Sequence, residues 1–441
     1  MAHPLKIETI RTEGLGDSTY VLIHAGMAIA VDPQRDIDRF ERVFNEAGAD
    51  LRLVLETHLH NDYVSGGLAL ARSSGAELVM PAGAAPVFRH RPAFHHEDID
   101  LGVLVVRPIH TPGHTPEHTS YVVVVDGQER AVFSGGSLLV GSAGRTDLLG
   151  EDRAESLARL QHGSVTRLAT LPDEVRLYPT HGAGSFCTTT VAGDLTSTIG
   201  TEKKTNPVLA YEDEDSFVKE QLAGLVPYPS YYRHMAPINL QGRDEADLSV
   251  PTLESIPDGV VVIDARPRHR FAAGHVHGAL GIELGDSFGT WVGWLTEHDT
   301  PLVLVIDDDQ DTEEAIRQLA RIGYENIRGI VPNPSEGLET YREVTSDDYA
   351  EAAQSGAQLL DVRAPNEWEA GIVEGSELSY LPELARETPS GLDPSKPVWI
   401  ACGSGFRAST AAGILQERGF EPVVLSEGGT ADVLEAMAES S

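Results

Sequence analysis

Thr57-His58-Leu59-His60-Asn61-Asp62 is the stretch that decides the fold, and it closely follows the apolar run 51–55. Two histidines and a carboxylate at alternating positions just after a strand are typical of a metal site, because imidazole and carboxylate ligands suit zinc or iron. A lone pair of histidines is more often a solvated loop. Three later segments favour the metal site here, namely Thr111-Pro112-Gly113-His114, Phe133-Ser134-Gly135-Gly136 and Pro179-Thr180-His181-Gly182. The pattern therefore predicts a metal-binding ancestry for this part of the chain.

Length and composition describe a globular chain with several domains. At 441 residues the chain is too long for one ordinary core, so about two to three domains are expected. No apolar run approaches the ~20 residues that cross a bilayer, and the segment Met1-Ala2-His3-Pro4-Leu5-Lys6 has no apolar signal core. Two cysteines, Cys187 and Cys402, are too few for a disulfide framework. We therefore expect a cytoplasmic protein with reduced thiols.

The net charge of -35 argues against a nucleic-acid partner, because a phosphate backbone would be repelled. The acidic surplus is spread along the chain, which is typical of a solvating surface. We expect neither nucleic acid nor membrane as a partner, and we expect a homo-oligomer.

The first 205 residues or so alternate short apolar strands with turns. Their β-branched content and Gly, Pro and Asp boundaries predict strands at 20–23, 27–32, 51–55, 103–106, 121–125 and 131–133. Helices fit 36–47, 64–74 and 151–162. The stretch 211–247 has charge runs and little clear period, which indicates a connector that packs on its neighbours.

The rest of the chain is an internal repeat. Val261-Val262-Ile263-Asp264-Ala265-Arg266 matches Gln358-Leu359-Leu360-Asp361-Val362-Arg363, 97 residues later, and Gly323 matches Gly419, 96 residues later. That period is one whole α/β domain rather than a solenoid unit. The alternation of strands and helices predicts a doubly wound parallel sheet in each copy.

The second copy carries the run Cys402-Gly403-Ser404-Gly405-Phe406-Arg407 between a predicted strand and a predicted helix. Glycines let successive backbone N–H groups turn inward as a cradle for an anion, and the helix N-terminus adds partial positive charge. Both effects favour the thiolate, so Cys402 is predicted to be a nucleophile. Arg407 is placed to close the loop or to hold an anionic donor. The alternative is a buried structural cysteine.

This loop, together with Asp361-Val362-Arg363 and Glu367-Trp368-Glu369-Ala370-Gly371, resembles a rhodanese domain over about 345–436. Rhodaneses move sulfane sulfur through a cysteine persulfide. The resemblance implies that Cys402 and Arg407 are catalytic, and that the loop residues Gly403, Ser404, Gly405 and Phe406 bind the substrate. The histidine that usually follows the glycine in this family is absent, because Ile372 follows Gly371 directly.

The first copy keeps Asp264-Ala265-Arg266 but has Ile306-Asp307-Asp308-Asp309-Gln310-Asp311 where the cysteine loop should be. Ile306 aligns with Cys402 and Asp311 with Arg407. Without a thiol or an arginine, and with four carboxylates in the former cradle, sulfur transfer is excluded there. We predict an inactive rhodanese-like repeat that is structural or forms an interface.

The residues His58, His60, Asp62, His114 and His181, in that order between short strands, resemble the metallo-β-lactamase fold, an αββα sandwich with its metal site at the strand ends. The resemblance covers about 1–205. It implies that His58, His60 and His114 face one metal, and that Asp62 and His181 face a second. Domains are thus predicted at 1–240 with a C-terminal connector, at 245–340 for the inactive repeat, and at 341–441 for the rhodanese domain.

Within that fold, the runs 57–63, Gly144-Arg145-Thr146-Asp147 and 181–187 are similar to the persulfide dioxygenases, especially those fused to two rhodanese repeats. The family oxidises a low-molecular-weight persulfide, such as glutathione persulfide, to sulfite with O2 and one iron(II). Its iron is held by two His and one Asp, a facial triad. These positions map to His58, His114 and Gly136, so one ligand is missing, and Tyr63 stands where a second-metal His usually follows the Asp. One iron(II) is expected from the family, and zinc is the other candidate.

Two further residues are predicted to bind substrate. Arg145 matches a family arginine that meets the anionic thiol substrate, and Cys187 lies six residues past His181 after a Gly-rich stretch. A structural Arg145 and an inert, buried Cys187 are the alternatives.

Three functions remain open from the sequence. The first is a persulfide dioxygenase and sulfurtransferase fusion that uses a glutathione-like thiol persulfide or thiosulfate. The second is a sulfurtransferase or sulfur carrier whose metal domain is catalytically impaired, as the missing carboxylate at Gly136 suggests. The third is a thioester hydrolase of the glyoxalase type, which needs two metals and is disfavoured by Tyr63 and Gly136.

Overall fold

The computed structural model describes residues 4–188, 193–211, 213–332, 334 and 338–439. The chain divides into two compact units. The first unit comprises Met1–Asp247 with Arg317–Gly323, and the second comprises Leu248–Ile316 with Tyr324–Ser441.

The first unit is built on two six-stranded sheets. The first sheet has its strands in chain order, β1 (Lys6–Thr12), β2 (Asp17–His24), β3 (Met27–Val31), β4 (Asp50–Leu55), β5 (Glu77–Pro81) and β6 (Arg91–Ala93). The second sheet has the order β14-β13-β10-β9-β8-β7, from β7 (Ile99–Asp100), β8 (Val105–His110), β9 (Thr119–Val125), β10 (Gln128–Gly135), β13 (Arg176–Pro179) and β14 (Ser197–Thr198). A separate pair is formed by β11 (Leu138–Leu139) and β12 (Ser142–Ala143).

Side chains that alternate along the strands make this unit a four-layer sandwich. In β2, Tyr20 and Leu22 point into a core shared with Tyr121 and Phe133 of the opposite sheet. Val21, from the same strand, packs instead with the helices on the outer face. A strand buried on both faces needs apolar residues at consecutive positions, and the run 20–23 supplies them.

Helices cover the outer face of each sheet. The first unit contains α1 (Asp38–Glu46), α2 (Gly67–Ser74), α3 (Glu151–Leu168), α4 (Ile199–Thr205), α5 (Glu214–Ala223) and α6 (Tyr232–Gln241), with short 3-10 turns at Glu13–Leu15 and Pro207–Leu209. Phe40 of α1 and Leu70 of α2 pack on the first sheet, and Ala158 of α3 packs on the second. The αββα sandwich inferred from the sequence is confirmed.

The second unit contains two parallel sheets. The first copy of the repeat forms a sheet with the order β17-β15-β18-β19, from β15 (Val261–Asp264), β17 (Leu280–Gly281), β18 (Leu302–Val305) and β19 (Ile327–Val331). A two-stranded pair joins β16 (His275–Val276) to β20 (Leu338–Glu339). The second copy forms a sheet with the order β21-β25-β24-β22-β23, from β21 (Arg342–Val344), β22 (Gln358–Asp361), β23 (Glu377–Leu378), β24 (Val398–Ala401) and β25 (Pro422–Leu425). The two parallel sheets predicted from the repeat are confirmed.

The helices of the second unit also repeat. They are α7 (Arg268–Ala273), α8 (Phe288–Leu295), α9 (Thr312–Arg321), α10 (Ser346–Gln354), α11 (Pro365–Trp368), α12 (Leu381–Arg386), α13 (Phe406–Glu417) and α14 (Thr430–Glu439). Of these, α9 begins in the second unit, and its part from Arg317 onward belongs to the first. Across the described ranges, no helix is long and apolar enough to span a bilayer.

An ion pair explains why the Asp-x-Arg motif occurs in both copies. Arg266 pairs with Asp264, with Nε to Oδ1 at 2.9 Å, and it donates to the carbonyl of Gly274 at 2.8 Å. Arg363 pairs with Asp361, with Nη2 to Oδ2 at 2.7 Å, and it donates to the carbonyl of Gly371 at 2.7 Å. In each copy a buried two-point ion pair therefore ties the end of one strand to the turn eight residues later.

The connector differs from the sequence prediction. The stretch 211–247 shows little period, yet it contains α5 and α6. The side chain of Asp213 caps α5 by accepting from the backbone of Ser216 at 2.8 Å, and Pro237 lies inside α6. The Pro, Tyr and charge content that obscured the pattern is thus accommodated by capping and by packing on the first unit rather than by amphipathic spacing.

Candidate functional site

One buried carboxylate joins the two loops that carry the predicted metal ligands. Asp32, at the end of β3, accepts from the backbone N–H of Thr57 at 2.7 Å, from the Thr57 hydroxyl at 2.8 Å and from the Thr180 hydroxyl at 2.5 Å. Burial opposes its ionisation, but the charge of His60 and these donors lower the pKa of Asp32 below its usual value. Asp32 therefore holds the loop after β4 beside the loop after β13.

All five predicted metal ligands lie in one buried cluster. His58 and His181 are 1% exposed, and His60, Asp62 and His114 are fully buried. Donor atoms of His58, His60 and His181 lie within 4.8 Å of one another, as do those of Asp17, Asp62 and His181. A third such group joins His114 and His181 to Cys187, so His181 is common to all three groups.

Hydrogen bonds leave the lone pairs of three imidazoles facing the cluster. The Thr57 hydroxyl donates to Asp32 and so accepts from Nδ1 of His58 at 2.8 Å, which leaves Nε2 of His58 unprotonated. Nδ1 of His114 donates to the carbonyl of Arg145 at 2.7 Å, and Nδ1 of His181 faces Asp17 at 2.9 Å. Burial, followed by repulsion from neighbouring imidazoles, lowers the pKa of His58 and His114 well below the usual value.

These lone pairs fit a metal ion. Nε2 of His58 and Nε2 of His181 are 3.4 Å apart, close to the ~3.4 Å between two nitrogen ligands of one tetrahedral metal. A shared metal ion, or a proton on one of the two nitrogens, accounts for that distance. Nδ1 of His60, Nε2 of His114 and Oδ1 of Asp62 are also buried and have no hydrogen-bond partner among the described residues. The cluster thus has the chemistry of a transition-metal site.

His60 also contacts two carboxylates and the Tyr63 hydroxyl. Nε2 of His60 lies 3.3 Å from Asp32, 3.3 Å from Glu56 and 3.1 Å from the Tyr63 hydroxyl. Burial alone would lower the pKa of His60, but attraction by Asp32 and Glu56 raises it well above the usual value. The Tyr63 hydroxyl also donates to the carbonyl of Asp32 at 3.1 Å. The Tyr63 hydroxyl therefore contacts the backbone of Asp32 and Nε2 of His60. It lies on the side of the His60 ring opposite to Nδ1, which has no partner among the described residues.

Two acids flank His181. Its Nδ1 lies 2.9 Å from Asp17 and 3.3 Å from Asp62. Burial raises the pKa of both carboxyl groups to about 7. Asp17 opens β2, far from His181 in sequence, and a bridge between the two backbones brings them together.

The missing carboxylate at position 136 leaves no empty space. A Cβ built on Gly136 would lie 2.2 Å from Cδ2 of the His114 ring. The backbone N–H of Gly136 donates to Nε2 of His118 at 2.9 Å. The His114 ring therefore occupies the place from which a side chain at 136 would extend, so the carboxylate of a two-His, one-carboxylate triad cannot come from position 136.

The predicted substrate residues of the first unit are buried. Arg145 is 1% exposed, with Nε and Nη2 on Asp147 at 2.7 and 2.8 Å and further bonds to the carbonyls of Phe186 and Val226. Cys187 is fully buried, and its sulfur lies 3.6 Å from Oδ2 of Asp62. Burial, with the charge of Asp62, raises the pKa of Cys187 well above its usual value. The substrate-binding role of both residues stays a prediction.

Cys402 lies where the sequence places it, between β24 and α13. It is fully buried, and its carbonyl accepts from the backbone N–H of Thr430 at 2.9 Å. Gly405 precedes α13 with φ 81°, a left-handed conformation that favours glycine. Gly403 and Ser404 are exposed, and the Phe406 ring lies 6.3 Å from the ring of Trp291. The loop thus wraps a buried thiol beneath an exposed backbone turn.

Arg407 is held by an acidic partner. Nη2 of Arg407 lies 2.8 Å from Oε1 of Glu367, and Nη1 bonds the other oxygen. A Cβ on Gly403 would lie 3.2 Å from Nη2 of Arg407, so the ion pair packs against the cysteine loop. Burial would raise the pKa of Glu367, but the bonds from Arg407 lower it. The role of Arg407, whether it closes the loop or holds an anionic donor, stays a prediction.

The corresponding loop of the first copy contains no thiol. Ile306 is 2% exposed, and the side chain of Gln310 closes the turn by accepting from the backbone of Asp307 at 3.0 Å and donating to the carbonyl of Ala265 at 2.8 Å. Asp311 caps α9 by accepting from the backbone of Glu314 at 3.0 Å. In this loop an amide thus closes the turn, and the carboxylate of Asp311 caps a helix.

Sequence reasoning missed several residues that support both sites, namely Asp17, Asp32, Glu56, His118 and, as the partner of Arg407, Glu367. Asp32 ends a predicted strand, as Asp264 and Asp361 do, which was an available signal. Glu56 contacts His60 only four residues away, whereas Asp17, His118 and Glu367 contact residues that are 164, 18 and 40 positions away.

Known families match both parts of the chain. The model of the metallo-beta-lactamase superfamily matches residues 13–181, and the model of the rhodanese-like domain matches 252–330 and 345–436. The probable polyketide biosynthesis zinc-dependent hydrolase BaeB of Bacillus velezensis is 30% identical over 193 residues, which are 42% of this chain and 82% of that protein. The chain therefore belongs to the metallo-β-lactamase superfamily, in a fusion with two rhodanese-like domains.

Three further proteins show the range of relatives. A hydroxyacylglutathione hydrolase of Bradyrhizobium is 27% identical over 51% of this chain and 93% of its own length. The human mitochondrial persulfide dioxygenase ETHE1 is 27% identical over 48% of this chain and 78% of its own length. The crystal structure of a metallo-beta-lactamase from Staphylococcus aureus aligns with a TM-score of 0.69 and 27% identity over 75% of this chain and 99% of its own. That share is larger than the first unit, so the likeness extends into the rhodanese-like part.

The length of the match varies among these relatives. Eight curated relatives are matched over 50% to 93% of their own length. Their names include hydrolases and a dioxygenase, so the superfamily by itself leaves the reaction open.

Proposed function

We propose that the protein is a sulfur-handling enzyme in which Cys402 carries sulfane sulfur as a persulfide. The position of Cys402 supports this role, because the residue follows β24 and comes directly before a glycine turn and the N-terminus of α13. The backbone N–H groups of that turn and the helix dipole stabilise negative charge at the sulfur. Arg407, held by Glu367, keeps the turn closed.

The transfer has two balanced steps. The Cys402 thiolate attacks the outer sulfur of thiosulfate or of a thiol persulfide, the donor S–S bond breaks, and sulfite or a thiolate leaves with the electron pair. The new Cys402 persulfide is then attacked by a thiolate or by cyanide, which takes the sulfur and restores the thiolate.

The test measures thiocyanate formed from thiosulfate and cyanide by the full chain. Cys402→Ser should abolish transfer, while Asp308→Asn, which alters the aligned loop of the inactive copy, should leave the rate within about twofold. Transfer that survives in Cys402→Ser would refute the proposal.

For the first unit we propose metal-dependent oxidation of a low-molecular-weight thiol persulfide, such as glutathione persulfide, to its thiol and sulfite with one O2 and one water. The buried donor atoms of His58, His60, Asp62, His114 and His181, together with the relationship to a persulfide dioxygenase, support it. An iron(II) ion held by these residues would supply the activation of dioxygen. Asp17 orients His181, and the carbonyl of Arg145 orients His114.

This half is tested on protein purified and reconstituted with iron(II) in the absence of oxygen. Oxygen uptake that depends on glutathione persulfide, and that disappears in His114→Ala and after chelation, is the expected result. Tight iron binding without any uptake, or no iron binding, would contradict oxidation. Either result would favour the second candidate, a sulfurtransferase whose first unit only binds its ligand. The observation that supports this candidate is the His114 ring, which fills the place of a carboxylate side chain at position 136. Zinc-dependent hydrolysis of a glutathione thioester would identify the hydrolase instead.

A further inference from the structure

We propose that Cys187 supplies the anionic metal ligand that Gly136 cannot supply, and that it binds the metal of the first unit together with His114 and His181. This inference rests on the proposed function only in taking the first unit to bind a metal. It assigns a thiolate ligand in place of the carboxylate of the two-His, one-carboxylate triad.

The donor atoms of His114, His181 and Cys187 lie close enough together to share a metal. One nitrogen of His114, one nitrogen of His181 and the sulfur of Cys187 all lie within 4.8 Å of one another, and all three side chains are buried. Ligand atoms at ~2.0–2.3 Å from one tetrahedral metal stand about 3.5 Å apart. The three donors therefore need to approach by little more than about 1 Å to share a metal.

The hydrogen bonding of His114 places its lone pair on Nε2. Its Nδ1 donates to the carbonyl of Arg145 at 2.7 Å, so Nε2 carries the lone pair. In the part of the chain that the structure describes, this buried Nε2 has no partner. The backbone N–H of Arg145 donates to the carbonyl of Cys187 at 3.0 Å. A single residue thus positions both the imidazole and the cysteine, on either side of the same point.

A divalent metal ion in this cluster needs a negatively charged ligand. Neutral imidazoles leave the charge of a buried divalent ion uncompensated, and position 136 provides no carboxylate because the His114 ring fills its place. A thiolate provides the missing negative charge and is a good ligand for zinc, cobalt and iron. Asp62 is the rival ligand, because its Oδ1 is buried without a partner among the described residues, while its Oδ2 lies 3.3 Å from Nδ1 of His181 and 3.6 Å from the sulfur of Cys187.

Cobalt(II) tests the assignment without reference to activity, because a cobalt–thiolate bond gives an intense near-ultraviolet charge-transfer band. The full-length apoprotein is titrated with cobalt(II) under anaerobic conditions. Cys187 and Cys402 are the two free cysteines, so Cys402→Ser is the matched control. The band should appear in the unsubstituted protein and in Cys402→Ser, and it should be lost in Cys187→Ser with cobalt bound more than ~10-fold more weakly. A band that persists in Cys187→Ser, or that disappears in Asp62→Asn alone, would overturn the inference.

A second measurement needs no change at Cys187. X-ray absorption of the zinc-loaded Cys402→Ser protein should show one sulfur at ~2.3 Å from the metal, and a shell of nitrogen and oxygen alone would overturn the inference. Oxygen uptake separates the two proposals. If oxygen is consumed but no metal–sulfur bond is found, the proposed oxidation stands and Cys187 is not a ligand. If a metal–sulfur bond is found but no oxygen is consumed, Cys187 is a ligand and the proposed oxidation is wrong.

Discussion

Position 136 and the His114 ring compete for the same space, so the obvious repair of the missing ligand should fail. Gly136→Asp places a Cβ 2.2 Å from the ring and forces it to move. We expect the metal-free variant to lose about 1–3 kcal/mol in its free energy of unfolding. A urea titration followed by far-ultraviolet circular dichroism measures this.

Gly163→Ala in α3 is the matched control for position 136. Nothing lies within 4 Å of a Cβ at Gly163, so alanine there should be neutral or stabilising by up to about 1 kcal/mol. Equal stability of Gly136→Asp and the unsubstituted protein would mean that the His114 ring is free to leave its place.

The Glu367–Arg407 pair predicts a pH dependence for the second unit. Arg407 lowers the pKa of Glu367, although burial opposes the shift, so the pair stabilises the fold above the unfolded pKa of about 4.3. That stability is lost as the pH falls through the lower, folded pKa. Because the Glu367 side chain is 34% exposed, we expect only about 0.5–1.5 kcal/mol.

Tryptophan fluorescence reports on this unit, since Trp291, Trp294, Trp368 and Trp399 all belong to it. The free energy of unfolding of the unsubstituted protein should fall more steeply between about pH 5 and pH 3 than that of Glu367→Gln. Parallel curves would show that the pair contributes nothing to stability.

The helix α13 shows what the inactive repeat does for the active one. Thr410 of this helix donates to the carbonyl of Gly281 in the inactive repeat at 2.6 Å. A Cβ at Gly413 would lie 2.6 Å from the carbonyl oxygen of Ala279, so helix and repeat are in close contact. The first copy has lost its thiol but still packs against the helix that begins at the cysteine loop.

Arg268 of the inactive repeat extends this support to the loop itself. It bonds the carbonyl of Ser404 and lies 3.0 Å from Glu283. Arg268→Gln should slow sulfur transfer by on the order of 10-fold, because a loop held by one charged hydrogen bond loses its position. Arg270→Gln, on the same helix and 59% exposed, should leave transfer unchanged. Thiocyanate formation measures both, and equal rates would assign the loop geometry to the active repeat alone.

Local sequence predicted the strands, the repeat and the cysteine loop, because each depends on residues close together in the chain. Asp264 and Arg266 are two residues apart, and their ion pair follows directly from the motif. The support of the metal cluster depends on pairs such as Asp17 with His181, 164 residues apart, which no local pattern contains. The helices α5 and α6 were missed because capping and tertiary packing, rather than periodicity, stabilise them.

The acidity of the whole chain predicts how its stability responds to salt. The chain has 68 acidic and 33 basic residues, so the folded state concentrates a net charge of -35 in a smaller volume than the unfolded state does. Salt screens that repulsion, and it also weakens surface ion pairs such as Arg159 with Glu155. Because the acidic surplus exceeds the number of basic residues available for pairing, we expect the repulsion to dominate.

The midpoint of thermal unfolding should rise by about 2–4 °C from 20 mM to about 500 mM NaCl, corresponding to roughly 1 kcal/mol. Potassium chloride at equal ionic strength should give the same rise, and a midpoint that falls with salt would mean that surface ion pairs outweigh the net charge.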